Sequence, residues 1–375
     1  MKLNPLFEST ILDAFFSAAF SLIIPLLLSA RGVDISVIGI IFAITPIVFQ
    51  TMRLGLSIFA DSKGAGKLFL LNAILFPING LVFLFSYSVP FFLLGKFIEG
   101  LRSASLVAVG RSIAFNAIRR DSSVTTALYA LSSVSTAMGM LAVGVALAFL
   151  SLSDGLLLFS ILSLAMFHSA LRMKGVPARE VRKLEKPSAF LDWRFKPPVF
   201  RKVMLAMTLL AVNDALIFAY VLPLFLNFKG LDFRGVGLHL GAFALVSGVV
   251  SLFLVANRKH TDMRKLLSCQ LVVGTLGFAV LPFAGLSLLL PAIILLAVGD
   301  GITRVLFEGI VLKAVAGSKL LSIDIGILHM PFHFVRAAAL LAAGFLVNWF
   351  GFQPVFLLAA AFFAAYSLSI RRFYY

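Results

Sequence analysis

Charge is what this sequence has least of. Asp, Glu, Lys and Arg together make up 13% of its 375 residues, against roughly 25% in a soluble globular domain. Hydrophobic residues make up 61% of the chain, Phe alone filling 39 positions, so a water-soluble fold is excluded. Cysteine is down to one residue, Cys269, which excludes a disulfide framework and any cysteine-built metal site. Strict apolar–polar alternation over about ten residues is missing, which excludes a transmembrane β-barrel. There is no phosphate-cradling P-loop, no zinc-protease helix motif and no serine nucleophile elbow. An ATP-driven pump therefore has no support, the chain reads as a non-enzyme that needs no cofactor, and a driving force must come from an ion or solute gradient.

What the chain has instead is apolar runs of about 20–28 residues, the length of a membrane-spanning helix. In hydrocarbon each unsatisfied backbone amide costs several kcal/mol, which leaves helices as the way across. The hydropathy pattern predicts an all-α integral membrane protein with twelve spans: 7–30, 35–59, 67–88, 90–117, 123–150, 153–173, 200–226, 234–256, 265–284, 287–315, 320–349 and 352–371. The first span carries Glu8 and Asp13 behind a thin basic segment, so it reads as a span and not as a cleavable signal.

The net charge of +16 could suggest nucleic acid, but its distribution points to the membrane. With both termini cytoplasmic, 23 Lys and Arg fall on the inner side and 3 (Arg31, Lys229 and Arg234) on the outer side. That is the positive-inside pattern. The expectation is a multi-pass protein of the plasma membrane, monomeric, with no nucleic-acid partner.

The chain also repeats itself. Pro25, Leu26, Leu28, Gly32, Asp34 and Gly39 recur 198 positions later as Pro223, Leu224, Leu226, Gly230, Asp232 and Gly237, and Arg31 recurs as Lys229. Pro90, Glu99 and Gly100 are echoed by Pro291, Asp300 and Gly301 at an offset of 201, and Lys67-Leu68 by Lys265-Leu266 at 198. Six helices per copy is an even number, so both copies enter the membrane in the same direction, as a parallel repeat. The expected organisation is a six-helix bundle over 1–173, a cytoplasmic central loop over 174–199 and a second six-helix bundle over 200–375, related by a pseudo-two-fold axis along the membrane normal.

This layout, the basic central loop and the loop after the second span resemble the major facilitator superfamily of transporters over essentially the whole chain. That loop reads Ser57-Ile-Phe-Ala-Asp61-Ser-Lys63-Gly64-Ala-Gly66-Lys67. It is similar to the family signature G-x-x-x-D-[RK]-x-G-x-[RK]-[RK], with Asp61, Gly64 and Lys67 matching and Ser57, Ser62 and Gly66 departing. The resemblance implies a gating role for Asp61, through charge contacts that hold the cytoplasmic side closed. Read without the family, the same residues make a tight two-helix turn with a solvated Asp. Gly139 and Gly144 in the fifth span are reminiscent of the Gly-rich motif of family antiporters without its proline, and small residues of this kind also simply let helices approach closely.

Ionisable residues at bilayer depth cost at least about 2.5–3.5 kcal/mol each and usually face a cavity or a partner. The candidates for reversible protonation are Asp13, Glu99, Asp214 and Asp300. Arg102, Arg304 and Arg336 would neutralise them or hold a polar or anionic substrate. Asp300, Arg304 and Glu308 recur every four residues, Lys96, Glu99 and Arg102 every three, and His329, His333 and Arg336 share one helix face, so each set is expected to form a stripe. A cavity lined by spans one, four, seven and ten would place these stripes across from one another. His329 and His333 could act as a proton relay, line the cavity as polar groups, or bind a metal with a contributed carboxylate; no metal is assigned. Arg53 and Arg111 lie toward the cytoplasmic ends.

The functional reading is alternating-access secondary transport of a small organic solute, with protons (or sodium) as coupling ion and export by antiport as the first choice. Proton-coupled uptake of a polar or anionic metabolite is the alternative. A non-transporting receptor or scaffold on the same fold is the alternative of another class, in which the buried charges are permanent pairs.

Overall fold

The computed structural model describes residues 4–63, 65–118, 123–173, 196–257, 262–315 and 321–373. All regular structure among them is helical: α1 (Asn4–Ala30), α2 (Ile35–Lys63), α3 (Ala65–Phe85), α4 (Val89–Ile118), α5 (Ser123–Ala146), α6 (Leu152–Leu162), α7 (Ala165–Arg172), α8 (Pro198–Ile217), α9 (Val221–Phe228), α10 (Phe233–Ala256), α11 (Met263–Val280), α12 (Leu286–Ala314), α13 (Leu321–Phe350) and α14 (Phe352–Arg371), with a 3-10 turn at Leu281–Phe283. The expected sixth span is α6 followed by α7, and the seventh is α8 followed by α9, so these helices are consistent with the twelve expected spans. Ten of the runs are long and apolar enough to cross a bilayer by length and composition. Among the residues whose side chains are described, the run through α4, which holds Lys96, Glu99 and Arg102, is not one of them, and the apolar stretch of α5 is Leu131–Ala146. Of the expected central loop, 174–195 lies outside the described residues.

Helix packing obeys the repeat. In the first half α1 packs on α5 and α6, α2 on α4, and α3 on α4 and α6; in the second half α8 packs on α13 and α14, α10 on α12, and α11 on α12 and α14. Shifting the first set by six spans yields the second. The halves meet through α2 against α13 and α5 against α10, and these two contacts are also images of each other. The architecture is therefore the expected pair of six-helix bundles in parallel repeat.

The anchor sequence explains itself in the turns. At the end of α1 the Gly32 amide donates to the Ser29 carbonyl (2.9 Å) and the Val33 amide to the Leu28 carbonyl (3.0 Å). After α9, Gly230 donates to Asn227 (2.9 Å) and Leu231 to Leu226 (3.2 Å). Both are Schellman closures, which need a left-handed residue after the helix; Gly32 has φ 75° and Gly230 φ 94°. Two residues on, Asp34 accepts from the Ser36 amide (2.8 Å) and its hydroxyl, and Asp232 accepts from the Gly235 amide (2.7 Å), as helix N-caps do. The Ser36 contacts hold the Asp34 carboxyl below the usual carboxylate range.

The second anchor works through close approach. A side chain at Gly100 would collide with the Thr45 carbonyl and Val48 on α2, and one at Gly301 with the Ser247 carbonyl and Val250 on α10. Glycine is needed at both places because backbone meets backbone.

One feature breaks the symmetry. Pro25 sits inside the continuous α1, whereas its counterpart Pro223 sits at the third position of α9, after a break at Phe218–Tyr220. Proline has no amide to give the carbonyl four residues back. The first half spans that gap without interruption, and the second half opens there, turning Phe218 into the wall of the central cavity.

Candidate functional site

Asp13, on α1, meets Arg102, on α4, at 2.6 Å. Arg102 also donates to Ser17 (3.0 Å) and Asn72 (3.3 Å), and Asn72 donates to Asp13 (3.3 Å). The guanidinium lies 3.9 Å from the centre of the Phe76 ring and is 4% exposed. A charge so enclosed needs its counter-charge, since desolvation would otherwise drive it out.

Six residues before Arg102 on α4, Lys96 is 2% exposed, pairs with Glu99 at 2.7 Å and stands 3.6 Å from the centre of the Phe42 ring on α2. Arg102 and Arg336 both lie within electrostatic reach of Lys96, which brings charges of the two halves close at this level. In the second half Asp300 is paired with Arg304 at 2.6 Å and accepts from the Ser247 hydroxyl at 2.6 Å. Asp214 and Arg336 approach to 3.0 Å without an aligned hydrogen bond.

The four acids expected at depth are thus each joined to a cation, and each pair belongs to a single half. On α4, Arg102 turns away from Lys96 and Glu99 toward α1 and α3. Helical spacing defines a face, but the nearest unpaired counter-charge decides where a long side chain goes.

His329 uses Nδ1 on the Ile325 carbonyl (2.8 Å) and packs edge-on against Phe307 and Phe332. His333 packs against Phe49 of the other half, ring centres 4.5 Å apart and planes tilted by 47°. Among the described residues no group of three or more His, Cys, Asp or Glu could hold a metal ion. Arg53 is buried, 6.0 Å from the Phe49 ring centre. Lys67 is exposed. Gly64 and the side chains of Asp61, Arg111 and Glu308 lie outside the described residues.

Two cavities adjoin these charges. One, of about 180 Å³, lies within the second half and is lined by Asn213, Asp214, Asp300, Thr303, Arg304 and several Phe. The other, of about 220 Å³, lies between the halves, bounded by α1 and α5 on one side and by α8, α9 and α10 on the other. They share Asp214, Phe218 and Arg304.

A sequence model of the Major Facilitator Superfamily matches residues 6–319. The chain belongs to the major facilitator superfamily. No curated protein matches its sequence. Among solved structures, a mutant form of the nucleoside transporter NupG is similar at TM-score 0.81 and 13% identity, covering 99% of each chain. NupG without the mutation is similar at TM-score 0.78 and 13% identity, covering 100% of this chain and 99% of that one. This superfamily member therefore shares their fold and is a membrane transporter by family.

Several residues of the site went unnoticed in the sequence: Ser132, Ser133 and Thr136 on α5, Ser21 on α1 and Ser247 in the cavity between the halves, and Asn72 beside Asp13 and Arg102. The α5 set has a signal, three hydroxyls at i, i+1 and i+4. It is weak, because a hydroxyl in a membrane helix is commonly satisfied by its own backbone. Ser135 in the same stretch does just that, donating to the Leu131 carbonyl at 2.6 Å.

Proposed function

We propose that this protein is a proton-coupled secondary transporter that exports a small organic solute by alternating access between 1–173 and 200–375, with 174–199 linking the two bodies. The observation that carries the proposal is the Asp13–Arg102 pair, an acid at bilayer depth whose partner is 4% exposed. Removing one partner of a buried pair costs about 3–5 kcal/mol. Protonating Asp13 has the same electrostatic effect, and a few kcal/mol is enough to move a two-state equilibrium between its extremes.

Protonation of Asp13 from one side would loosen α1 from α4 and favour the state open to the other side; deprotonation there would restore the pair. Glu99, Asp214 and Asp300 are the further candidate acids, with Arg304, Arg336, His329 and His333 tuning or relaying charge around the solute. Asp61, Gly64 and Lys67 are assigned to closing the cytoplasmic side.

The test uses proteoliposomes with a pH-sensitive dye inside and a panel of solutes. Solute leaving against an inward proton gradient supports export, and the opposite sign of coupling supports uptake. Asp13→Asn is expected to abolish gradient-driven accumulation while leaving exchange down the solute's own gradient. If accumulation survives Asp13→Asn, Glu99→Gln, Asp214→Asn and Asp300→Asn alike, coupling through these acids is wrong.

A further inference from the structure

The cavity between the halves has three walls of different chemistry. The first-half wall is a set of neutral hydroxyls, Ser21 on α1 and Ser132, Ser133 and Thr136 on α5. Ser21 already donates to the Ala18 carbonyl (2.8 Å) and keeps its acceptor capacity. Ser132, Ser133 and Thr136 make no hydrogen bond with the described residues, whereas their neighbour Ser135, 4% exposed, is tied to Leu131. Three neighbouring hydroxyls without partners among the described residues are donors and acceptors held ready for a solute.

The opposite wall is apolar. Phe218 and Phe243 both line the cavity, their ring centres 5.2 Å apart and their planes tilted by 34°, which presents an aromatic surface suited to a flat ring. The third wall carries charge that is already countered. Asp214 has Arg336 at 3.0 Å, and Arg304 has Asp300 at 2.6 Å. A solute with a net charge would either leave its own charge uncompensated or break one of these pairs, and both are unfavourable.

We infer that this cavity selects a neutral solute with several hydroxyls along one edge and, on the other, a flat ring whose face packs on Phe218 and Phe243. Nucleosides and aryl glycosides both have that form. The inference rests on the transporter reading above and names the solute class for the same site. A site built to hydrogen-bond hydroxyls discriminates strongly against analogues lacking them, because its own polar groups would be left unpaired; a pocket with only the aromatic wall would not.

The test is equilibrium binding to the purified full-length protein in detergent, with no gradient present. The ligands are uridine, 4-nitrophenyl glucoside, glucose (hydroxyls without a ring) and benzoate (a ring with a charge). At least one of the first two is expected to bind ten-fold or more tightly than both glucose and benzoate, and which of the two does so separates the two sources of the shared chemistry. Ser132→Ala combined with Thr136→Val is expected to raise the Kd of the bound compound by roughly 5–30-fold. Thr136→Ser, which keeps the hydroxyl, and Ser135→Ala, whose hydroxyl faces its own helix, are expected to leave it within two-fold.

Tighter binding of glucose or benzoate, binding of none of the four, or an unchanged Kd in the double variant overturns the inference. Because no gradient is involved, these outcomes are independent of proton coupling. Movement of a charged solute in the liposome assay would sink the solute class and leave the transporter standing.

Discussion

Arg31 and Lys229 perform the same task 198 positions apart. Arg31 donates to the carbonyls of Phe83 (2.6 Å), Leu84 (2.9 Å) and Ser86 (2.6 Å) at the end of α3. Lys229 donates to those of Pro282 (3.0 Å) and Ala284 (3.2 Å), after α11. The last carbonyls of a helix have no partner within it, and here a cation at the end of one span supplies partners for the end of another. The fork of Arg31 reaches three acceptors where the single ammonium of Lys229 reaches two.

Arg31→Met should therefore lower the apparent melting temperature in detergent more than Lys229→Met. Hydrogen bonds to charged groups contribute about 1.5–3 kcal/mol, which translates to a loss of about 3–6 °C for Arg31. Equal shifts, or none, would show that lipid or detergent headgroups supply these carbonyls instead.

Arg102→Met should be more damaging than Asp13→Asn, because it leaves a carboxylate with only Asn72 as partner. The double variant should be more stable than Arg102→Met alone, by about 1–3 kcal/mol of coupling. Thermal unfolding of the three variants decides this; strict additivity would mean that the pair is energetically silent.

Gly144 and Gly237 bring α5 and α10 together, each glycine facing the other's backbone, and Gly39 does the same for α2 against Leu340 and Gly344 of α13. These contacts lie at the end of the bundle that also holds Gly32 and Gly230. Gly144→Trp should prevent that end from closing. Transport should fall on the order of 100-fold while the protein remains folded and monodisperse, and labelling of a cysteine introduced at that end should increase. Normal transport would show that the contact is not a gate.

Gly100→Leu and Gly301→Leu should destabilise to similar degrees, each by about 1–3 kcal/mol or more from overpacking, since each meets a carbonyl and a Val on the neighbouring helix. A large difference between them would mean that the two halves pack less alike than their backbones do.

The spans were legible because a bilayer imposes length and hydropathy on every crossing, and the repeat because its matched residues are ones a turn or a close approach demands. Gly32 and Gly230 must take a positive φ, and Gly100 and Gly301 must admit a carbonyl. The pairing of Arg102 with Asp13 was not legible. The two are 89 residues apart, and periodicity on α4 gives a face without saying which neighbour that face meets. The break before α9 was hidden for a different reason: Pro25 and Pro223 are the same residue in the same motif, and only the tertiary surroundings decide that one copy stays unbroken. The α5 hydroxyls were hidden by their chemistry, because Ser135 and Ser132 look alike until the structure shows which is tied to its own backbone.

That interrupted seventh crossing gives the molecule unequal compliance. The first crossing is a single rigid mast, while its twin has a joint at Phe218–Tyr220, beside the ring against which a solute would rest. A solute resting on that ring therefore meets a hinge point in one copy and none in the other, so two parts of like sequence are placed to respond unequally.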